Sequence, residues 1–379
     1  MTSRRGFALT SALTLILGGP LLACGRKDSD GPAGKPGVAP PATPTTTTSP
    51  GAPPSAPAPR PIEELLGAFA PLPAVMAADP AQLTDAKVDL GRMLYFETRL
   101  SRNHDLSCNS CHDLARFGVD GQPTSPGHKG QRGGRNSPTS YNAAGHLAQF
   151  WDGRAADVEA QALGPILNPI EMAAPSEAHV VAVLASIPEY VTRFTAAWPD
   201  DKAALSYQHV GDAIGAFERK LVTPGRWDRF LAGDRAALTA AEQDGLRVFV
   251  SSGCGACHGG AYVGGAMYQK VGAVKPWPSS KDLGRFEVSK NEADKYFFKV
   301  PSLRNIAETA PYFHDGSVAD LPTAVRMMAE HQLGKVLTDG EVASVVAFLR
   351  ALTGEVPTAY VTAPTLPPSG KKTPKPDPS

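Results

Sequence analysis

The stretch SCNSCHDL, residues 107–114, sets two cysteines two positions apart and a histidine directly behind the second. The same order returns in GCGACHGG, residues 253–260. With 5 Cys and 9 His among 379 residues, random placement would yield about 0.002 such units per chain. Two are present, so their chemistry governs the reading of the rest.

C-x-x-C-H is the attachment pattern of c-type haem. Cys108 and Cys111, and again Cys254 and Cys257, would add to the two vinyl groups, with His112 and His258 as proximal iron ligands. The short spacing keeps each trio on one helical turn. A structural zinc site would want four ligands per metal. A thioredoxin-like redox motif would want a βαβ context, and none is evident.

Each unit is preceded by a Gly/Leu-led apolar stretch, LGRMLYF before the first and GLRVFV before the second. Thr239 to Glu242 spells a capping box, as does Thr338 to Glu341. Behind the latter, Val342, Val345, Val346, Leu349 and Leu352 keep helical spacing and Gly354 stops the run. No comparable strand alternation occurs. The expected fold is mainly α: two cytochrome c-like haem domains, residues 62–221 and 222–356, packed across a shared interface, with long irregular loops.

The ends differ in character. Arg4 and Arg5 precede an apolar run broken by Gly18, Gly19 and Pro20, short for a spanning helix. The run ends in Leu-Leu-Ala-Cys, which resembles a bacterial lipobox. It implies removal of residues 1–23 and lipid on Cys24. SRRGFAL also resembles a twin-arginine signal, but that route exports folded proteins, whereas the cysteine chemistry belongs after export. Residues 24–61 are a Pro/Ala/Thr-rich linker and residues 357–379 a Pro/Lys tail. Both compositions are expected to stay disordered for want of apolar surface. Net charge is zero and pI is near 7.1, so the chain as a whole gives nucleic-acid binding no electrostatic support.

Between the haem motifs lies GHKGQRGGRNSPTSYNAAGHLAQFWDGRAADVEAQALGPILNPIEM, followed later by FKVPSLRNIAETAPYFHDGS and AVRMMAEHQLG. These blocks, in this order, resemble the bacterial di-haem cytochrome c peroxidases over about residues 90–352. The resemblance implies an enzyme reducing hydrogen peroxide to water, with electrons from a small cytochrome c or cupredoxin. It places a proton shuttle on Glu171, a hydrogen-bonding assistant on Gln161 and a removable distal ligand of the first haem on His128, in a glycine-rich loop. It puts Trp151 on the electron path between the haems and His314 in a loop near the propionates. It implies a calcium ion held by Asn136 and the carbonyls of Thr309 and Pro311, and a homodimer in the periplasm.

For the second haem a thioether would raise the potential beside His258. Met327 and Met328 point about 100° apart on a helix, so at most one can face the iron. Alignment on QLG favours Met328, leaving Met327 to the core. Two other functions compete: a di-haem oxidase that matures a cofactor in a partner protein, whose corresponding distal ligand is a tyrosine, and a non-enzymatic electron carrier.

Overall fold

The computed structural model describes residues 61–77, 79–279 and 281–379. The signal-peptide reading, Cys24 and the linker up to residue 60 lie outside the described residues. The fold is mainly helical, as expected.

Eight longer helices carry it: α1 Asp85–Tyr95, α2 Val158–Leu167, α3 Glu177–Ala185, α4 Pro188–Ala197, α5 Tyr207–Glu218, α6 Ala240–Ser252, α7 Leu321–Met327 and α8 Asp339–Ala351. Their starts follow from side-chain chemistry. Thr84, Asp157, Ser176, Ser206 and Asp320 each accept a backbone N–H that the first turn would leave unpaired. Both capping boxes form: Thr239 with Glu242 on α6, and Thr338 with Glu341 on α8.

Two helix pairs approach closely because a glycine sits at each crossing. A Cβ on Gly91 of α1 would come within 1.8 Å of the Ala213 carbonyl oxygen on α5. A Cβ on Gly245 of α6 would come within 2.0 Å of the Ser344 carbonyl oxygen on α8. These glycines head the two apolar stretches that precede the haem motifs.

The buried side chains form two clusters. The first is built on α1 to α5, with Leu90, Leu94, Tyr95, Ile214 and Phe217 fully buried. The second is built on α6 to α8 around Trp227, Leu246 and Phe348. Burying each such side chain stabilises the fold by about 1.5–3 kcal/mol.

Three details differ from the sequence reading. Ile62, Leu65 and Phe69 pack in the second cluster, although the chain at that point was assigned to the first domain. An antiparallel pair of strands, β1 Tyr268–Lys270 and β2 Phe297–Lys299, forms where no strand pattern was visible. Three residues per strand are too few to show alternation.

The expected disordered tail is ordered against the body. Val361 joins the first cluster, and Tyr360 stacks on Phe217 while its hydroxyl donates to the Phe217 carbonyl at 2.8 Å. Asp377 pairs with Arg102. Proline and lysine dominate the composition, but Tyr360, Val361 and Leu366 carry the apolar surface that anchors the segment.

Candidate active site

The first C-x-x-C-H unit forms the turn Cys108–Cys111, closed by the His112 N–H donating to the Cys108 carbonyl at 2.9 Å. The second forms a tighter turn over Cys254–Ala256, with the His258 N–H donating to the Cys254 carbonyl at 3.0 Å. Gly253, at φ +100°, lets α6 end and the chain reverse into that turn.

In each unit the imidazole Nδ1 sits on a backbone carbonyl: His112 on Pro138 at 2.9 Å, His258 on Val263 at 3.4 Å. That anchoring puts the proton on Nδ1 and leaves Nε2 with a free lone pair, the form in which histidine binds a metal. Burial pushes both imidazoles below their ordinary pKa, His258 to about 4, so both are neutral. None of these four cysteines pairs in a disulfide. Among the described residues no group of three or more His, Cys, Asp or Glu converges as a metal cage.

Each unit opens on a cavity. The first, about 780 Å³ with its mouth, is lined by Cys108, Cys111 and His112. The second, about 1530 Å³ with its mouth, is lined by Cys254, Cys257 and His258. Two unpaired thiols and one Nε2 lone pair facing one large cavity fit a covalently attached porphyrin in both places.

The first cavity gathers polar groups. Gln161, from the middle of α2, and Glu171, from the loop after it, both line it. Asn168 Nδ2 donates to Glu171 Oε1 at 2.8 Å. Burial raises the Glu171 pKa, opposed by Arg154 and the Asn168 bond. Sequence reading missed Glu218, a third polar side chain here. It lines the same cavity from the end of α5, and burial pushes it up to about 8. A signal existed: Glu218 stands four residues after Ile214, on the apolar stripe of its helix. Arg135 was also missed. It lines this cavity and is held by Asp282 and Asp152.

His128 is not brought into the cavity. Its ring is buried and its Nε2 lies 3.2 Å from the Ser379 carbonyl oxygen. Its backbone N–H donates to the Glu171 carbonyl at 2.7 Å.

The second cavity is mostly apolar. Met328 lines it, at the point where α7 passes into a π-helical turn Met328–Gln332, while Met327 packs into the second core cluster. Such turns recur at functional sites because they re-aim side chains. Asn136, Thr309, Pro311, Trp151 and His314 all line this cavity. The Trp151 indole N–H donates to the Asn136 carbonyl at 2.9 Å, and its ring meets His314 edge-on at 6.4 Å.

Residues 135–138 face the two cavities in turn. Arg135 and Ser137 line the first; Asn136 and Pro138 line the second. That is the side-chain alternation of extended backbone. One thin wall therefore carries both the carbonyl that orients His112 and the carbonyl that holds Trp151.

Comparison with known proteins places the chain in a family. Residues 85–236 match the model of the di-haem cytochrome c peroxidase family. A cytochrome c551 peroxidase of Nitrosomonas europaea is 45% identical over 83% of this chain and 92% of its own length. Its counterpart in Pseudomonas aeruginosa is 45% identical over 81% of this chain and 90% of its own. Among solved structures, a MauG-like protein associated with microbial copper homeostasis superposes with a TM-score of 0.70 at 30% identity. That match covers 77% of this chain and 97% of that one. The chain belongs to the di-haem cytochrome c peroxidase family and is an enzyme of that class. Membership in a di-haem family implies two haems.

Proposed function

We propose that the enzyme reduces hydrogen peroxide to two waters, consuming two electrons and two protons, and that peroxide reacts in the first cavity. The observation that carries this is the convergence of Glu171 and Gln161 with Cys108, Cys111 and His112 on one cavity wall. Cys108, Cys111 and His112 would hold a haem there, and that group would supply the redox chemistry for peroxide reduction.

The protein's own groups do the rest. Glu171 takes the proton from one peroxide oxygen and returns it to the other, so that the departing atom leaves as water. Gln161 orients the oxygens with its amide. Desolvation suits Glu171 to this work, because burial raises its pKa and so eases the return of the proton it has taken. His128 is the group that closes the first site in the resting enzyme. As placed, it leaves the cavity clear, and its backbone bond to Glu171 ties the position of its loop to that of the base. Lys129 and Gly130, both at positive φ, sit at the bend of that loop.

Cys254, Cys257, His258 and Met328 would hold a haem at the second cavity, and that group would take in the donor's electrons. Trp151 and the wall at residues 135–138 lie on the route between the two. His314 senses the second haem from the loop beside Trp151. Asn136, with the carbonyls of Thr309 and Pro311, holds a calcium ion at the same junction. The two core clusters are two cytochrome c-like domains. The donor is a small cytochrome c or cupredoxin. The enzyme works in the periplasm, lipid-anchored through Cys24, as a homodimer.

The test is peroxide turnover by the holoprotein with a reduced cytochrome donor, compared with Glu171→Gln at equal haem content. Parental turnover in that variant would remove Glu171 from its role. A tyrosine as distal ligand, as in the cofactor-maturing oxidases, would need Met328 displaced. Absorbance near the region expected for iron–thioether coordination separates the two readings.

A further inference from the structure

Lys299 closes strand β2 and is one of the residues lining the second cavity, and only 7% of it is exposed. Lysine is almost never buried this deeply unless it is paired. Among the described residues no carboxylate lies within ion-pairing distance of it. Among the described residues its ammonium has one hydrogen-bond partner, His146 Nδ1, at 3.3 Å. Burial pushes the ammonium down to about 8, which leaves it mostly charged at neutral pH.

His146 is neutral in this setting. Burial and the neighbouring Lys299 charge hold its pKa well below the ordinary value. Its Nδ1 therefore accepts from the ammonium, and its Nε2, buried, has no partner. The seat is rigid. The His146 ring meets Tyr262 edge-on at 5.6 Å, and a Cβ on Gly265 would come within 2.4 Å of His146 Cδ2. The Lys299 N–H donates to the Trp151 carbonyl at 2.8 Å, fixing the strand end from the other side. A cation held this firmly on a cavity with no Asp or Glu in its lining is built for an anion that the protein itself does not provide.

We propose that Lys299, set in place by His146, binds a propionate carboxylate of the haem attached at Cys254 and Cys257, and that this ion pair raises the potential of that haem. The inference rests on the haem reading of the second cavity. Haem content of the parent protein, measured first, tests that reading separately.

Without the ammonium, the propionate charge stands uncompensated near the iron and favours the ferric form. The experiment is an optical redox titration of holoprotein carrying Lys299→Met, Lys299→Gln or Lys299→Arg. Both neutral variants should lower the second-haem midpoint by about 59 mV, tenfold in its reduction equilibrium. Lys299→Arg should keep it, and the first-haem midpoint should not move in any of them. Neutral variants that load haem and keep the parental midpoint overturn the proposal. So does an arginine variant that drops as far as the neutral ones, since shape rather than charge would then matter. If the neutral variants fail to accumulate with haem while Lys299→Arg succeeds, the requirement for charge stands; if all three fail, it falls. Added acetate should leave the parental midpoint in place. An acetate-dependent shift that disappears in Lys299→Met would mean the seat takes an exchangeable anion instead, and the propionate assignment would be lost.

Discussion

The two cavities begin from the same five-residue motif and end as different chemical environments. Each has two thiols, an imidazole anchored through Nδ1 to a carbonyl, and a helix pair crossing at a glycine behind it. The first then adds Glu171, Glu218, Gln161 and Arg135. The second adds Met328 and a long apolar lining with no Asp or Glu in it. The shared parts build a holder for a haem. The added parts decide what the haem is for. A site that must move protons needs titratable groups whose pKa values burial has shifted toward neutrality. A site that only passes electrons works best dry and closed, with a thioether to hold its potential up.

The largest effect should come from removing Glu171, the proposed proton shuttle, from the first cavity. Glu171→Gln keeps size and polarity but cannot take up a proton. Turnover with peroxide should fall by about 10²–10⁴-fold, the usual range for losing a general acid–base group. The pH profile sharpens the test. Glu171 must be ionised to accept a proton, and burial raises its pKa. The parental rate should therefore climb with rising pH through a pKa above the ordinary carboxylate range, and the variant should lose that limb. An unchanged limb would move the titrating group to Glu218, the other carboxyl in the cavity.

The glycine crossings probe what the two halves share. Gly91→Ala would drive a methyl group into the Ala213 carbonyl, and Gly245→Ala would drive one into the Ser344 carbonyl. Backbone cannot move aside as a side-chain end can, so both helix pairs must separate. Each variant should lose about 1–3 kcal/mol, the common cost of overpacking, in chemical denaturation of the holoprotein. The comparison predicts similar losses at the two sites. A loss at one position alone would mean that the second crossing is tolerant and that the likeness stops at the haem motif.

Much of this was legible in the chain because the decisive signals are local. A C-x-x-C-H unit keeps its ligands within one turn, and a capping box spans one turn. Both formed where the sequence put them. What escaped depends on contacts distant in sequence. Glu218 was hidden because its meaning comes from Cys108, more than a hundred residues away, and Arg135 because its partners are Asp152 and Asp282. Lys299 lies within a block quoted for its family likeness, yet its isolation from carboxylates shows only in three dimensions. The tail misled through composition. Three apolar side chains among many prolines were enough to dock it, which an average over the segment cannot show.

The smallest effect separates two adjacent methionines. Met327 packs in the second core cluster and Met328 lines the second cavity, one step further along as the helix widens into its π turn. Leucine nearly conserves the volume of methionine, so either substitution should cost less than about 1.5 kcal/mol of stability. Their redox consequences should diverge. Met327→Leu should leave both midpoints where they are. Met328→Leu should lower the second midpoint by at least about 59 mV, a tenfold change in its reduction equilibrium, because a hydrocarbon cannot replace a thioether on iron. Optical titration of the two variants side by side reads the difference directly. If Met327→Leu shifted the potential and Met328→Leu did not, the widened turn would have to rotate by about 100° to present the other sulfur. The contrast between a proton-handling cavity and an electron-handling one would then need a different axial ligand on its second side.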